Sequence, residues 1–266
     1  MDDLHMFAKV VRSGEKVEVY VYNQGIKVGH ERPYDIVKRN QVDTDEKLEK
    51  RLDNLLRSRQ RLRRLIWANS GPYSKFVTLT YKDTVLEVNR VQRDIRTFIQ
   101  SMRRHGYDMK YVYVLEHQSE RGLKEGNEGC WHVHMVLFID TFILKETLQK
   151  CWKHGFVDIN AIDDVRDLGA YVCKYITKEN SAEFGARVFG SSLGLKRWDD
   201  ERFYTEGLSD TTVGLHPKEV LDGMDVTYNS QIRHDYRDDD GAGHELIVNY
   251  YQGVWKDKDV IELYKD

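Results

Sequence analysis

The feature that most restricts the fold is a change of hydrophobic period, repeated in a fixed order between Lys75 and Asn180. Alternation of period two marks a strand, and apolar recurrence at three and four residues marks a helix. KFVTLTY (75–81) reads as a strand, Leu86 to His105 as a helix ended by Gly106, and MKYVYVLEH (109–117) as a strand. After a Gly-rich loop from Arg121 to Gly129, WHVHMVLFI (131–139) reads as a strand. Leu144 to His154 follows as a helix ended by Gly155, FVDINAI (156–162) as a strand and Asp167 to Glu179 as a helix. The order βαββαβα predicts an α+β fold, because its first six elements match the split βαβ, ferredoxin-like (RRM-like) arrangement. That arrangement is an antiparallel sheet with two helices packed on one face, the opposite face being left open for a site.

The flanks are less legible. KVEVYVYNQGIKVG (16–29) alternates in polarity and carries turn residues at Asn23, Gln24 and Gly25, which predicts a short hairpin there. Asp43 to Ser70 places Leu48, Leu52, Leu55, Leu56, Leu62 and Ile66 near helical spacing beside an arginine-rich face, and stops at Ser70, Gly71, Pro72. These signals divide the chain into an N-terminal extension (1–70), a core (71–195) and an acidic C-terminal region (196–266) of no assignable fold.

Composition narrows the class. Hydrophobic residues at 40% suffice for a core, and charged residues at 32% imply a solvated exterior. No stretch approaches the roughly 20 apolar residues of a membrane span. The start MDDLHMFAKVVRSGEK lacks the basic and apolar regions of a secretory signal, so a cytoplasmic protein is expected. Cys130, Cys151 and Cys173 form no CxxC pair, which suggests neither a disulfide framework nor a cysteine zinc site. The net charge of -3 conceals a polarity: Arg57 to Lys110 holds 13 Lys/Arg against 4 Asp/Glu, whereas Lys196 to Asp266 holds 9 against 17. A basic block suits phosphate contact, and an acidic tail suits solubility or partner docking, although charged runs are often only solvated faces.

Two constellations carry chemistry. His132 and His134 are two apart in a strand and share a face, so two neutral imidazole nitrogens stand side by side as candidate ligands for one divalent ion. Glu116 ends the strand expected to pair beside them and is the candidate third ligand, with His117 and Gln118 as neighbours that could serve instead. The second constellation is YVCKYITK. Tyr171 and Tyr175 are four apart on one helical face, with Lys174 and Lys178 on an adjacent one. A phenol with a pKa of about 10 is a poor nucleophile at neutral pH, so a nearby cation is the partner it needs. Packing alone is the competing explanation for both sets: a satisfied histidine pair, and an aromatic stripe seated on the sheet.

Together these motifs resemble those of the HUH endonucleases. HVH is similar to their His-hydrophobic-His motif, KFVTLTY to their first motif, and YVCKYITK to the tyrosine motif of the Rep branch, especially its two-tyrosine form. RVFGSSLGL is similar to a segment that often follows the tyrosine helix in replication proteins of filamentous phages and related plasmids. The histidines precede the tyrosines, as in Rep proteins and unlike conjugative relaxases. The resemblance spans roughly Lys75 to Asn180. It implies a rolling-circle replication initiator in which His132, His134 and a third ligand hold Mg²⁺ or Mn²⁺, and Tyr171 or Tyr175 attacks single-stranded DNA at a replication origin. The expected products are a 5′-phosphotyrosine and a free 3′-hydroxyl, with Lys174 and Lys178 assisting. No GxxxxGK[ST] occurs, so unwinding is expected from a host helicase and replication machinery. The arginine-rich helix is then a candidate DNA contact. The competing readings are a transposase- or relaxase-type strand transferase of the same superfamily and a non-catalytic nucleic-acid-binding protein.

Overall fold

The computed structural model describes residues 4–27, 44–118, 130–160, 167–176, 189–206, 217–237 and 243–256. The chain forms two compact units, one of residues Asp43–Lys196 and the other of Met1–Val42 with Arg197–Asp266. Each is built on an antiparallel five-stranded sheet. Among the described residues no helix is long and apolar enough to cross a membrane.

The central unit begins with α1 (Thr44–Asn69), followed by β3 (Lys75–Leu79), α2 (Val88–Arg104), β4 (Lys110–Gln118) and β5 (Cys130–Phe138). It continues with α3 (Lys145–Cys151), β6 (Val157–Asn160), α4 (Leu168–Cys173) and β7 (Gly190–Ser191). The sheet order is β6-β3-β5-β4-β7. Its first four strands run in the split βαβ order that the alternation of periods predicts. The segment RVFGSSLGL supplies the short fifth strand, whose Ser191 pairs with Val112 of β4.

Side-chain alternation along β5 sorts the core into two halves. Trp131, Val133, Met135 and Leu137 face α2 and α3, where Val91, Ile95, Phe98, Ile99 and Met102 form the buried stripe of α2. Val136 and Phe138, together with Phe76 of β3 and Val112 and Val114 of β4, point to the other side. That side is not the open face expected from the sequence. Leu55, Leu62 and Ile66 of α1 and Leu168, Val172 and Cys173 of α4 are buried against it. The apolar stripe of α1 needs a partner, and the second sheet face, apolar at Phe76, Val136 and Phe138, provides one. The α1 helix, expected with the N-terminal extension, therefore lies in the same unit as the central sheet.

The other unit contains β1 (Leu4–Ser13), β2 (Lys16–Lys27), β8 (Asp199–Glu206), α5 (Pro217–Asp222), β9 (Met224–Arg237) and β10 (Gly243–Trp255), with the sheet order β8-β1-β2-β10-β9. The hairpin turns at Gly14, whose φ of 63° is left-handed, rather than at Asn23 to Gly25. Those turn residues lie where the β1–β2 register slips between Met6 and Ala8, and Asn23 is bonded to β10 by donating to the Glu245 carbonyl and accepting from the Ile247 N–H. The acidic C-terminal region is thus not a separate tail in its described parts, because β8, β9 and β10 complete a sheet with the N-terminal hairpin. Ala8, Val10, Val17, Val19, Phe203, Val220 and Met224 form its core.

Candidate active site on the second sheet face

The register of β4 against β5 sets Glu116 directly opposite His132 and Val114 opposite His134, and β3 sets Thr78 on the other side of His134. His134 is 3% exposed and anchored at both ring nitrogens. Its Nε2 lies 2.8 Å from Glu116 Oε2 and its Nδ1 lies 3.1 Å from Thr78 Oγ1. A hydroxyl can donate or accept, so Thr78 supports either neutral tautomer, including the one that leaves Nε2 with a lone pair for a metal. The bond from His134 holds the Glu116 carboxyl below the ordinary glutamate range against the opposing effect of burial; Gln118 and His132 add to the lowering. His132 is also buried.

The tyrosines meet this pair from above. Asp167 caps α4 by accepting from the Ala170 N–H at 2.9 Å, and the same carboxylate oxygen accepts from Trp67 Nε1 of α1 at 3.0 Å. Gly169 permits the close approach of the two helices, since a Cβ there would sit 2.6 Å from Arg63 Cγ and 3.1 Å from the Arg63 carbonyl. The helix is shorter than its sequence suggests. Beyond Cys173 the described chain tightens into i→i−3 bonds, Tyr175 N–H to the Val172 carbonyl at 3.2 Å and Ile176 N–H to the Cys173 carbonyl at 3.1 Å. Arg59 of α1 closes the end by donating Nε to the Ile176 carbonyl at 2.9 Å. Lys178 lies outside the described residues.

Tyr175 therefore lies flat on His134, with ring centroids 3.5 Å apart and planes 13° from parallel. Tyr171 stands nearly perpendicular to Tyr175 at 81°, and the Tyr175 hydroxyl donates to the Tyr171 oxygen at 3.5 Å. Phe76 supports all three rings, edge-on to Tyr171 at 5.3 Å and parallel to both Tyr175 and His134. Lys174 Nζ lies 3.7 Å from the Tyr171 ring centre and 4.7 Å from that of Tyr175, so a single lysine attends both rings.

The two phenols are unequal in acidity. The Tyr175 hydroxyl bonded to it, then Lys174, draw the pKa of Tyr171 below the ordinary phenol value, against the weaker effects of burial and Asp158. Burial pushes Tyr175 in the opposite direction, helped by its bond to Tyr171 and by the charge of Glu116.

The donor chemistry at Glu116, His132 and His134 suits a divalent cation. Adjacent ligands about 2.1 Å from a six-coordinate ion lie about 3 Å apart, and His134 Nε2 and Glu116 Oε2 are separated by 2.8 Å. They meet here in a direct hydrogen bond, and among the described residues no three His, Cys, Asp or Glu side chains converge as a metal cluster. Sequence reasoning missed Thr78, Phe76 and Trp67. Thr78 and Phe76 lie inside the KFVTLTY segment, and strand register was the signal needed to place them beside His134.

These features define a class: a split βαβ domain carrying an imidazole–carboxylate pair beneath a pair of tyrosines on one sheet face. Residues 74–180 match the family model of the replication-associated protein ORF2, a similarity that supports a role in the initiation of DNA replication. No curated protein and no solved structure matches the chain. The matched segment runs from β3 through α4 and omits α1 and the outer sheet.

Proposed function

We propose that the chain initiates rolling-circle replication by nicking and rejoining single-stranded DNA through a 5′-phosphotyrosine. The observation that carries this reading is the stacking of Tyr175 on His134 at 3.5 Å, with the more acidic Tyr171 hydrogen-bonded to Tyr175. A packing stripe needs no hydroxyl-to-hydroxyl contact and no lysine shared between two rings.

In this mechanism Tyr171 is the first nucleophile. The Tyr175 hydroxyl and the Lys174 ammonium stabilise its phenolate, and the phenolate oxygen forms a bond to the scissile phosphorus. The O3′–P bond breaks as the new bond forms, and the departing O3′ takes a proton to become the 3′-hydroxyl. Rejoining reverses these changes: a 3′-hydroxyl attacks the phosphotyrosine and the tyrosine oxygen leaves. Tyr175 is the candidate for a second cut, its approach to the strand being limited by its stack on His134. Glu116, His132 and His134 would hold Mg²⁺ or Mn²⁺, which when bound supplies charge compensation at the phosphate. Thr78 orients His134 for that purpose. The substrate is single-stranded DNA at an origin, and unwinding falls to a host helicase, consistent with the absence of a GxxxxGK[ST] motif. Incubation with end-labelled single-stranded DNA and Mn²⁺ tests the reading: a labelled band at the size of protein plus DNA on a denaturing gel is expected, and intact DNA with no adduct would contradict it.

A further inference from the structure

A groove of about 510 Å³ runs between α1 and α4, lined by Arg57, Arg59, Gln60, Arg63 and Lys174. Among the described residues that line it none is acidic. Two of its cations are fixed in place by other groups: Arg59 by the Ile176 carbonyl, and Arg63 by the Trp67 ring, 4.6 Å from its guanidinium. Collecting four positive side chains in one concavity raises its affinity for an anion, and low-dielectric walls focus that field. The groove also has a direction. Arg57, Gln60 and Arg63 follow one another at i+3 along α1 and span about 9 Å of its axis, which fits an extended polyanion better than a single small ion. At its other end is Lys174, the lysine over both tyrosine rings. The α1 helix lies before the segment that matches the replication-associated family.

We propose that this groove binds the phosphate backbone of single-stranded DNA next to the bond that the tyrosines cut, so that α1 sets the path of the strand. The proposal rests on the nuclease reading for its substrate class. Its chemistry requires only charge-assisted bonds from arginine to phosphate, with no base recognition, and it therefore predicts sequence-independent affinity with a strong dependence on salt.

The test is fluorescence-polarisation binding of a labelled mixed-sequence 20-nucleotide single strand to the full chain in EDTA, so that cleavage does not enter. Arg57→Glu, and Arg57→Glu combined with Gln60→Glu, are compared with Arg57→Lys and with the wild type across a salt series. The expected result is an affinity loss of about tenfold for Arg57→Glu, greater for the pair and small for Arg57→Lys. The slope of log affinity against log salt should become shallower by roughly one for each phosphate that is no longer neutralised. Two results would overturn the proposal. Wild-type affinity and slope in the Glu variants would show that the groove carries no strand. Tighter binding by those variants would show that it holds an acidic protein segment in competition with DNA. Failure of the nuclease reading is separately visible, as a wild-type protein that binds the strand in EDTA yet never forms an adduct with Mn²⁺ present.

Discussion

Tyr175 and His134 are stacked ring on ring, 3.5 Å between centroids, and that stack ties the tyrosine helix to the imidazole–carboxylate pair. It restrains one tyrosine and leaves the other, Tyr171, at its edge as the more acidic phenol.

The unequal phenols predict unequal variants. Tyr171→Phe should lower single-turnover cleavage by at least 100-fold, whereas Tyr175→Phe should reduce it less and change its pH profile. With the donor hydroxyl gone, Tyr171 loses the largest influence lowering its pKa, so the rise of rate with pH should move to higher pH. Lys174→Gln should move it in the same direction. Stopped-time assays across pH would show this, and an unchanged profile in both variants would separate Tyr171 acidity from the rate.

Thr78 should act through His134. Thr78→Val leaves Nδ1 without its hydroxyl partner, and losses of this kind weaken metal sites by about 10- to 100-fold. The Mn²⁺ concentration for half-maximal cleavage should rise by that factor, and Thr78→Ser should restore it. Equal Mn²⁺ dependence in Thr78→Val and the wild type would remove Thr78 from this role.

Acid stability reports on Glu116. Its folded pKa is depressed, chiefly by the bond from His134. A depressed carboxyl contributes stability above its unfolded value, and that contribution is lost as pH falls through the folded value. Thermal unfolding midpoints should therefore drop between about pH 5 and pH 3, and part of the drop should vanish in Glu116→Gln. A profile identical to wild type would show that the bond to His134 adds nothing to folding.

How much was legible follows from the range of each signal. The order of strands and helices in the central unit, the shared face of His132, His134 and Glu116, and the adjacency of Tyr171 and Tyr175 all follow from local period and spacing. The burial of the second sheet face under α1 was hidden, because an amphipathic stripe such as Leu55, Leu62 and Ile66 records that a partner exists and not which one. The outer sheet was hidden for a related reason. Val19 of β2 pairs with Tyr251 of β10, more than 200 residues away, and alternation in each strand carries no record of that pairing. Asn23, Gln24 and Gly25 misled because turn residues also suit irregular strand register.

That pairing changes the expected effect of truncation. Removing residues 203–266 would strip β9 and β10 from β2 and take Phe203, Val220 and Met224 from the outer core. The product should bind a hydrophobic dye and aggregate. A soluble monomer with a cooperative melt would show that the N-terminal strands do not depend on these partners.

Gly169→Ala tests the docking of α4 on α1. The added methyl meets Arg63 at 2.6 and 3.1 Å, and overpacking of this kind costs about 1–3 kcal/mol. Chemical denaturation should register that loss together with slower cleavage, whereas unchanged stability would mean that the helices separate without cost.

The decisive chemical event is the formation of a covalent bond between DNA and a tyrosine of α4 or the turn that follows it. It is best sought by single-turnover reaction with labelled single-stranded DNA and Mn²⁺, followed by protease digestion and peptide mapping of the trapped adduct. DNA on Tyr171 is expected in the wild type, with no adduct in the Tyr171→Phe, Tyr175→Phe double variant. An adduct on neither tyrosine, or one undiminished in the double variant, would contradict the mechanism.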